Sequence, residues 1–326
     1  MVIPTGLAAQ LGIKTESAHG TAVVVDRFYE IISAPFAHNI ERMESAGLRA
    51  GTRVLRSDRW VAGAKSITGT INMEIANKSF GLWLKHMFGT IASAQPDSGG
   101  SPTVWEHTAT PGDLPVGLTI QVGVPDETGT VQPFTYEGCM VDSWEIEATV
   151  GEIGKLTVSI DAEDENTGTA LASASYPSGL TLLTFVEATL DIAGSEVDVK
   201  SFNVAGSNSL ATDRGKLGSA LRKKPSETAQ REYTGTVDAY FSGLTDYTRF
   251  VDGTEAALVA TFIGVVINGA FNYELELTMN VRFDGDTPTV DGPDEIMQPL
   301  TFKCLDTGAG PSTAISAVYR TTDTSP

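Results

Sequence analysis

The residues that could carry acid–base or metal chemistry are few, and they do not form recognised catalytic patterns. The chain has four histidines, and none belongs to an HExxH sequence. It has no GxSxG nucleophile elbow, no phosphate-binding glycine loop and no CxxC pair. We interpret His86 as a solvent-side or boundary residue of a helix. We therefore expect a protein that is not an enzyme and that needs no cofactor.

Two groups of carboxylates could take part in catalysis or bind a metal ion. Glu145 and Glu147 are two residues apart, which places them on one face of a strand, as a glycosidase pair could be. Acidic surface stripes are common in a chain with a net charge of -19, so we interpret the pair as surface residues. The acidic residues 284–295 could bind calcium, but Gly285 does not fit the EF-hand order. We interpret that stretch as a solvated acidic loop and expect no metal site.

Positive charge is concentrated in two segments. Their basic residues are Arg49, Arg53, Arg56 and Arg59 in the first, and Arg214, Lys216, Arg222, Lys223 and Lys224 in the second. The first set has near-helical spacing and could form a stripe for nucleic acid, lie in a solvated loop, or contact an acidic surface of another copy. Basic loops complement an acidic body, and long loops are uncommon unless they function. We favour contacts between subunits or rings.

The overall composition is that of a soluble globular protein. Of the 326 residues, 41% are hydrophobic, and no apolar run approaches the roughly 20 residues of a membrane span. The start of the chain has no signal-peptide pattern. Cys139 and Cys304 lie in apolar, strand-like segments, so free thiols in a reducing cytoplasm are favoured over a disulfide. Both halves are acidic, which is opposite to the Lys and Arg enrichment of a DNA-gripping protein. This charge indicates either solubility or a surface that lies near DNA without holding it.

The elements occur twice in the same order. Residues 67–75 read ITGTINMEI and residues 233–241 read YTGTVDAYF, 166 positions apart. The marker residues are Thr68, Gly69 and Thr70 in the first copy, and Thr234, Gly235 and Thr236 in the second. Each copy follows a basic segment and precedes a helix, the first with Phe80, Trp83, Leu84, Met87 and Phe88 on one face and the second with Leu244, Tyr247 and Val251. Alternating strands follow, including residues 133–141, 143–150 and 155–161 in the first half and residues 299–306 in the second.

We predict a mainly β protein with two tandem β-sandwich or barrel domains, each flanked by one α-helix. The boundaries are an N-terminal arm at 1–20, a first domain at 21–165, a linker at 166–182, a second domain at 183–306 and a C-terminal arm at 307–326. The two copies differ mainly in loops around residues 89–115 and 284–298. Gly69 and Gly235 are expected to serve a bend, a bulge or a close backbone approach.

Several stretches resemble one known family. They are ERMESAGLRAGTRVLRSDRWVAGAKSITGTINMEI with the following SFGLWLKHMFGT, then GVPDETGTVQPFTYEGCMVDSWEIEATVG, and NVRFDGDTPTVDGPDEIMQPLTFKCLD. Together they resemble the tail tube proteins of long-tailed bacteriophages over residues 11–306. The resemblance implies subunits that close into rings, with their inner sheets joined around a lumen. It implies that a long loop and the terminal arms bind the adjacent ring, and that double-stranded DNA passes through without specific binding.

The resemblance also implies partners and a location. The partners are further copies of the chain, a tape measure protein, and tail terminator or tip proteins, with no membrane. The location is the virion tail, after assembly in the host cytoplasm. Since the chain carries two copies of the unit, trimeric rings with pseudo-sixfold symmetry are favoured over hexameric rings. The alternative function is a β-sandwich carbohydrate-binding or adhesin module of a virion or cell surface, which would need a concave aromatic platform.

Overall fold

Strands dominate the fold, which confirms the mainly β prediction. We describe residues 5–285, 287–290 and 292–326 in a computed structural model. Three short 3-10 turns lie at Gly6–Ala8, Phe185–Glu187 and Pro311–Thr313. The strands are β1 (Gln10–Thr15), β2 (Arg27–Tyr29), β3 (Phe36–Glu44), β4 (Trp60–Glu74), β5 (Gly89–Ala94), β6 (Trp105–Pro111), β7 (Leu118–Pro125), β8 (Val131–Thr149), β9 (Lys155–Ala162), β10 (Asp164–Asn166), β11 (Ala188–Ile192), β12 (Ser195–Glu196), β13 (Val199–Ser207), β14 (Leu210–Ala211), β15 (Ser226–Glu227), β16 (Glu232–Tyr240), β17 (Ala256–Asn268), β18 (Phe271–Phe283), β19 (Met297–Cys304) and β20 (Ile315–Thr321), and the α-helices are α1 (Gly81–Phe88) and α2 (Leu244–Asp252).

The two halves of the chain have the same strand topology. In the first half, β1 pairs with β2 and β7, β8 pairs with β7, β9 and β10, and β4 pairs with β3 and β9. In the second half, β11 pairs with β12 and β17, β18 pairs with β17, β19 and β20, and β16 pairs with β13 and β19. These are the same pairings between equivalent strands, with a helix after β4 and after β16. The shared pattern supports the internal duplication, while the domain boundaries stay a prediction.

The two halves share one continuous sheet at their junction. The long strand β8 belongs to two sheets: its residues up to Cys139 pair with β7 and β10, and its residues from Met140 onward pair with β9, with a bulge between Val141 and Ser143. The later part also pairs with β13 of the second half, from Ser143 opposite Ser207 to Thr149 opposite Ser201. The sheet therefore runs in the order β3, β4, β9, β8, β13, β16, β19, and we call it the junction sheet.

A second connection between the halves lies where the sequence predicted a loop. Residues 89–115 contain the hairpin of β5 and β6, and β6 pairs with β20, which also pairs with β18. A local sequence pattern does not reveal this hairpin, because its strands are rich in Ala and Thr and its partner β20 is about 200 residues away in the chain. The predicted loop around 89–115 is therefore wrong in part.

The two terminal segments are paired within the chain. Residues 10–15 of the predicted N-terminal arm form β1, and residues 315–321 of the predicted C-terminal arm form β20. Tyr319 in β20 is fully buried, and its hydroxyl donates to the carbonyl oxygen of Ala76 at 3.1 Å. The Thr321 hydroxyl donates to the Asn77 carbonyl oxygen. Within this chain, neither strand is an extended arm.

The two helices differ in burial. The apolar face predicted for α1 is confirmed, since Trp83, Leu84 and Met87 are fully buried. The equivalent face of α2 is not covered: Leu244 is 67% exposed and Val251 is 59% exposed. Each helix ends at a glycine with positive φ, Gly89 or Gly253, which is the usual helix terminator because glycine adopts this conformation without strain.

Three buried side chains correct or complete the interpretation of the sequence. His86 on α1 is buried rather than solvent-side; its Nε2 lies 3.0 Å from the Thr15 hydroxyl, and burial lowers its pKa to about 3. Cys139 and Cys304 are buried and free, as favoured from the sequence. Burial raises the pKa of the Cys304 thiol to about 12, so it is a poor nucleophile at neutral pH.

Candidate functional site

One face of the junction sheet is apolar and forms the core. Residues that alternate along its strands point inward, and Ile71, Val158, Val204, Val237 and Leu300 are each fully buried. The pairing registers place them all on the same side of the sheet. This continuous apolar side fixes which side chains lie on the opposite face.

The opposite face is polar over both halves, and we call it the polar face. It consists of Thr68, Thr70, Asn72 and Glu74 on β4, Lys155, Thr157, Ser159 and Asp161 on β9, Ser143, Glu145, Glu147 and Thr149 on β8, Ser201, Asn203, Ala205 and Ser207 on β13, Glu232, Thr234, Thr236 and Asp238 on β16, and Thr301 and Lys303 on β19. Six carboxylates face two lysines here, for a net charge of -4. Except for Asp161, these residues are exposed or half-buried in the isolated chain.

Polar contacts across the polar face join neighbouring strands. The Asn203 amide donates to Glu145 at 2.8 Å, across the junction between the halves. The Thr157 hydroxyl donates to the Asn72 side-chain oxygen at 2.9 Å. Glu145 and Glu147 therefore belong to a shared polar surface, and Glu147 remains exposed.

The Thr-Gly-Thr markers occupy equivalent places in the two copies. Thr68, Thr70, Thr234 and Thr236 lie on the polar face, and the glycines between them face the core. The Phe36 ring lies so close to Gly69 that an added Cβ would be 2.4 Å from its Cδ1 and Cε1 atoms. At Gly235, an added Cβ would be 2.1 Å from the Asn203 carbonyl oxygen and 2.4 Å from Phe302 Cζ. Of the three predicted roles, a close backbone approach is found at Gly235, whereas the close neighbour of Gly69 is a side-chain ring.

The second basic segment is docked on the first half of the chain. We define loop 2 as residues 212–225, between β14 and β15. The Arg222 guanidinium donates to Asp161 Oδ1 at 2.7 Å, and the two side chains are only 13% and 7% exposed. The backbone N–H of Lys65 donates to the Ala220 carbonyl oxygen at 3.0 Å, and Lys224 Nζ donates to the Pro115 carbonyl oxygen at 3.1 Å. Loop 2 therefore ties the two halves together.

The other basic residues of loop 2 are more exposed. Arg214 donates to the Lys224 carbonyl oxygen within the loop. Lys216 and Lys223 are exposed. The five basic residues of this segment are thus divided between a contact with the first half, made by Arg222 and Lys224, and the solvent.

The first basic segment contacts nothing else in the described part of the chain. We define loop 1 as residues 45–59, between β3 and β4; it is exposed throughout and contains no helix. Its polar contacts stay within the loop, and the Arg56 guanidinium pairs with Asp58 at 2.9 Å. Arg49 and Arg53 have no ion-pair partner among the described residues, and Arg59 lies 4.0 Å from Asp58. The helical stripe considered for these arginines is not formed.

Other candidate chemistry finds no support in the described residues. No group of three or more His, Cys, Asp or Glu residues there could hold a metal ion. The acidic stretch 284–295 is described only in part, since Asp286 and Asp291 lie outside the described residues. Among the described residues, no helix has the length and apolar character needed to cross a membrane.

Comparison with known proteins agrees with the resemblance of the sequence. The family model described as "Phage tail tube protein" matches residues 6–304. The chain belongs to the phage tail tube protein family. No curated protein matches it. As a tail tube protein it is a structural component of the virion tail, in a family whose role is not enzymatic.

Only part of the candidate site of this tail tube protein could be found from its sequence. Sequence reasoning had identified the arginines and the Thr-Gly-Thr repeats, but it did not identify the full polar face or the pair of Arg222 and Asp161. The alternation of Thr, Asn and Glu along residues 68–74 is the signal for the polar face. The alternation along one strand does not show which of its two faces is buried. The register with neighbouring strands, whose apolar side chains point into the core, distinguishes the two faces.

Proposed function

We propose that this chain self-assembles into rings, that the rings stack into the tail tube, and that the polar face lines the lumen through which DNA is ejected. The observation that carries the proposal is the junction of β8 with β13. It joins two copies of the unit edge to edge in one sheet, with one continuous polar face. Repeating this contact between chains would extend the sheet around a ring.

The free edge of β3 supports ring closure by the same contact. β13 has a strand on both sides, β16 and β8. Its equivalent in the first half, β3, is paired only with β4 in the described part of the chain. We propose that β3 of one copy pairs with the β18–β19 end of the next copy, as β13 pairs with the equivalent strand β8. Identical head-to-tail contacts close into a ring when the rotation between copies divides a full turn.

The repeat sets the number of chains that we propose for a ring. Two units per chain and three chains give six units, so the ring is a trimer with pseudo-sixfold symmetry. A hexamer of whole chains is the alternative, and it would contain twelve units. Equal rotation of the units at the internal and external contacts would make the six positions of such a trimer pseudo-equivalent.

The charge of the polar face suits a conduit for DNA. Proteins that hold DNA neutralise phosphates with Lys and Arg, whereas this face carries six carboxylates and two lysines. A surface of like charge repels the phosphates and lowers the local concentration of DNA at the wall. The duplex would therefore slide through without specific binding.

The remaining partners follow from the family. We propose that the assembled tube surrounds a tape measure protein and meets tail terminator and tip proteins at its ends, after assembly in the host cytoplasm. We assign loop 1 to contacts between copies, because a fully exposed basic loop on an acidic body has a complementary surface in another copy.

The alternative of a carbohydrate-binding or adhesin module gains no support from the described surface. Such a module would need a concave aromatic platform. The polar face has Tyr240 at its end, under the Lys200 ammonium at 5.3 Å. The exposed ring of Trp60 lies at the start of β4, beyond the residues of the polar face, and the rings of Tyr176 and Phe185 lie on other elements.

A charge reversal tests the assignment of the lumen. The double variant Glu145→Lys and Glu147→Lys should still form rings and tubes, but the tubes should now retain double-stranded DNA in a filter-binding assay at low salt. The matched control is Glu127→Lys with Glu196→Lys, which makes the same charge change at exposed positions away from the polar face. If both variants form tubes and retain DNA equally, the polar face does not line the lumen.

A further inference from the structure

The segment that leads into β11 is bound to the first half of the chain. The Leu183 N–H donates to the Ile75 carbonyl oxygen at 2.9 Å, and the Asn77 N–H donates to the Thr181 carbonyl oxygen at 2.9 Å. These bonds form a short antiparallel ladder between residues 181–183 and residues 75–77. The segment therefore adds a short strand beside the residues that follow β4.

The same segment also contacts the turn between β8 and β9. The Gly154 N–H donates to the Leu183 carbonyl oxygen at 2.9 Å, and the Phe185 N–H donates to the Glu152 carbonyl oxygen at 3.1 Å. Leu183 is only 1% exposed. We call residues 181–185 entry segment 2. Its four backbone hydrogen bonds with the first half fix the start of the second repeat.

A corresponding segment precedes β1 in the first repeat. The 3-10 turns Gly6–Ala8 and Phe185–Glu187 lie 179 residues apart, and each leads into the first strand of its repeat. The same offset aligns Leu11 of β1 with Leu190 of β11, and both are buried. It aligns entry segment 2 with residues 2–6, which we call entry segment 1. Residues 2–4 lie outside the described part of the chain.

The surface that would receive entry segment 1 is open in the second half. The Phe241 N–H donates to the Ile296 carbonyl oxygen at 3.1 Å, as the Ile75 N–H donates to the Gly154 carbonyl oxygen at 2.8 Å. Phe241 and Ile296 are thus the counterparts of Ile75 and Gly154. Ile75 and Gly154 are buried, whereas Phe241 is half-buried and Ile296 is 39% exposed. We call residues 241–243 and 294–296 the open edge.

Three of the four internal hydrogen bonds can be repeated at the open edge. Their donors would be the N–H groups of Gly6, Gly243 and Ile296, which make no hydrogen bond among the described residues. The fourth bond cannot be repeated, because Pro4 stands at the position of Leu183 and has no N–H. An extended segment added to a sheet edge gains affinity from such main-chain bonds.

The repeat also indicates which copy supplies the segment. Entry segment 2 contacts the unit that lies across the junction of β8 with β13. β3 is the equivalent of β13, and its free edge is where we place the neighbouring copy. Entry segment 1 should therefore reach the open edge of that neighbour, because the second half of its own chain lies on the other side of the first half.

We propose that entry segment 1 of each copy pairs as a short strand with the open edge of the neighbouring copy in the same ring. The inference rests on the proposed ring. It makes entry segment 2 an internal link between units and entry segment 1 the equivalent link between chains. It also differs from the resemblance, which implies that the terminal arms bind the adjacent ring.

The first test measures ring assembly as a function of protein concentration, for example by mass photometry. Ile3→Asp should raise the concentration needed for rings at least about tenfold, because its counterpart Leu182 is half-buried and a carboxylate there would be desolvated. Leu7→Asp is the matched control in the same segment. Its counterpart Val186 is 74% exposed, so its effect should be under about threefold. Both unassembled variants should unfold at the wild-type temperature.

The second test uses disulfides in the full chain. Leu182 lies opposite Ala76 in the internal ladder, and such cross-strand neighbours are close enough for a disulfide. Leu182→Cys with Ala76→Cys should therefore give a bond within one chain. Ile3→Cys with Ser242→Cys should give bonds between chains on mild oxidation of rings, whereas Leu7→Cys with Ser242→Cys should not.

The outcomes separate failure of this inference from failure of the proposed function. Equal effects of the two aspartate variants on assembly would overturn the inference, as would rings without linked chains in the Ile3→Cys and Ser242→Cys variant. Bonds that form only when rings stack would also overturn it, because they place entry segment 1 between rings. Absence of rings in the wild-type protein would instead refute the proposed function.

Discussion

The close approach of an aromatic ring to each marker glycine predicts the cost of adding one methyl group there. Neither glycine has a positive φ, so the cost of alanine is steric. Nonbonded carbons prefer separations of about 3.5–4.0 Å. In Gly69→Ala the Phe36 ring, now 2.4 Å from the new Cβ, would have to move by more than about 1 Å. That movement disturbs its stacking on Tyr136, whose ring centroid is 4.0 Å away.

The same substitution should cost more in the second repeat. Phe36 is half-buried and can swing outward, whereas Gly235→Ala meets the backbone oxygen of Asn203 at 2.1 Å. Its other neighbour, Phe302, is buried and stacks on Phe202. Overpacking typically costs about 1–3 kcal/mol, and alanine recovers about 0.5–1 kcal/mol through the less flexible unfolded chain. We expect a net loss of about 1 kcal/mol for Gly69→Ala and about 2 kcal/mol for Gly235→Ala.

The assay is urea unfolding of the unassembled chain, followed by tryptophan fluorescence. Gly99→Ala is the control, because its Cβ would lie 3.8 Å from the nearest atom, and it should change the free energy of unfolding by less than about 0.5 kcal/mol. In a Phe36→Ala background, the cost of Gly69→Ala should disappear, since the ring that it strikes is gone. An unchanged cost in that background would refute the steric reasoning, and so would a smaller loss for Gly235→Ala than for Gly69→Ala.

Three further variants test buried groups. Burial lowers the pKa of His86 in the folded chain to about 3, so the unfolded chain binds this proton first as the pH falls, and stability is lost from about pH 6.5 downward. His86→Gln should reduce that loss in urea midpoints measured from pH 7 to 4, and an unchanged profile would contradict this role. Burial raises the pKa of Asp161 to about 6, so its contribution has the opposite sign: the folded chain holds the proton more tightly, and stability decreases as the pH rises from about 4 to 6. Asp161→Asn should remove that decrease, and a profile identical to wild type would exclude this role. Tyr319→Ala should lower the free energy of unfolding by about 3–5 kcal/mol, because the ring is fully buried in the strand that links the halves; a loss below about 1 kcal/mol would show that β20 is not anchored there.

Helix α1 could be predicted from the sequence because its apolar residues recur at helical spacing and all face the core. The strands with alternating patterns were also predicted, although residues 133–141 and 143–150 form the single strand β8, with the predicted break at the bulge. A bulge locally disrupts the ladder and shifts the alternation, which explains the apparent boundary. Burial of His86 was not predicted, because the Thr15 hydroxyl that contacts it is 71 residues away.

The candidate site was less predictable than the fold. The two clusters of basic residues could be found from the composition. Their environments differ because loop 2 contacts the other half of its own chain, whereas loop 1 has no such neighbour among the described residues. The polar face depends on the register of five strand pairs, and no single strand reveals it. The hairpin of β5 and β6 pairs with β20 near the far end of the chain, and its small residues carry no strong periodic signal.

The duplication also explains the differences between the two repeats. Helix α1 is packed against the inserted hairpin of β5 and β6 and the C-terminal residues, and an added Cβ on Gly81 would lie 2.9 Å from Pro326. The second repeat has no such insertion after α2, and Leu244 and Val251 of that helix stay exposed. The β5–β6 hairpin and the C-terminal residues therefore cover α1 within the chain, whereas α2 could be covered in the same way only by another subunit.

The number of chains in a ring tests the central claim most directly. Cryo-electron microscopy of assembled tubes, averaged without imposed symmetry, counts the chains and locates both faces of the junction sheet. We predict three chains and six similar units per ring, with Glu145, Glu147 and Asp238 toward the lumen. Rings of six whole chains, or a lumen lined by a surface other than the polar face, would contradict the account.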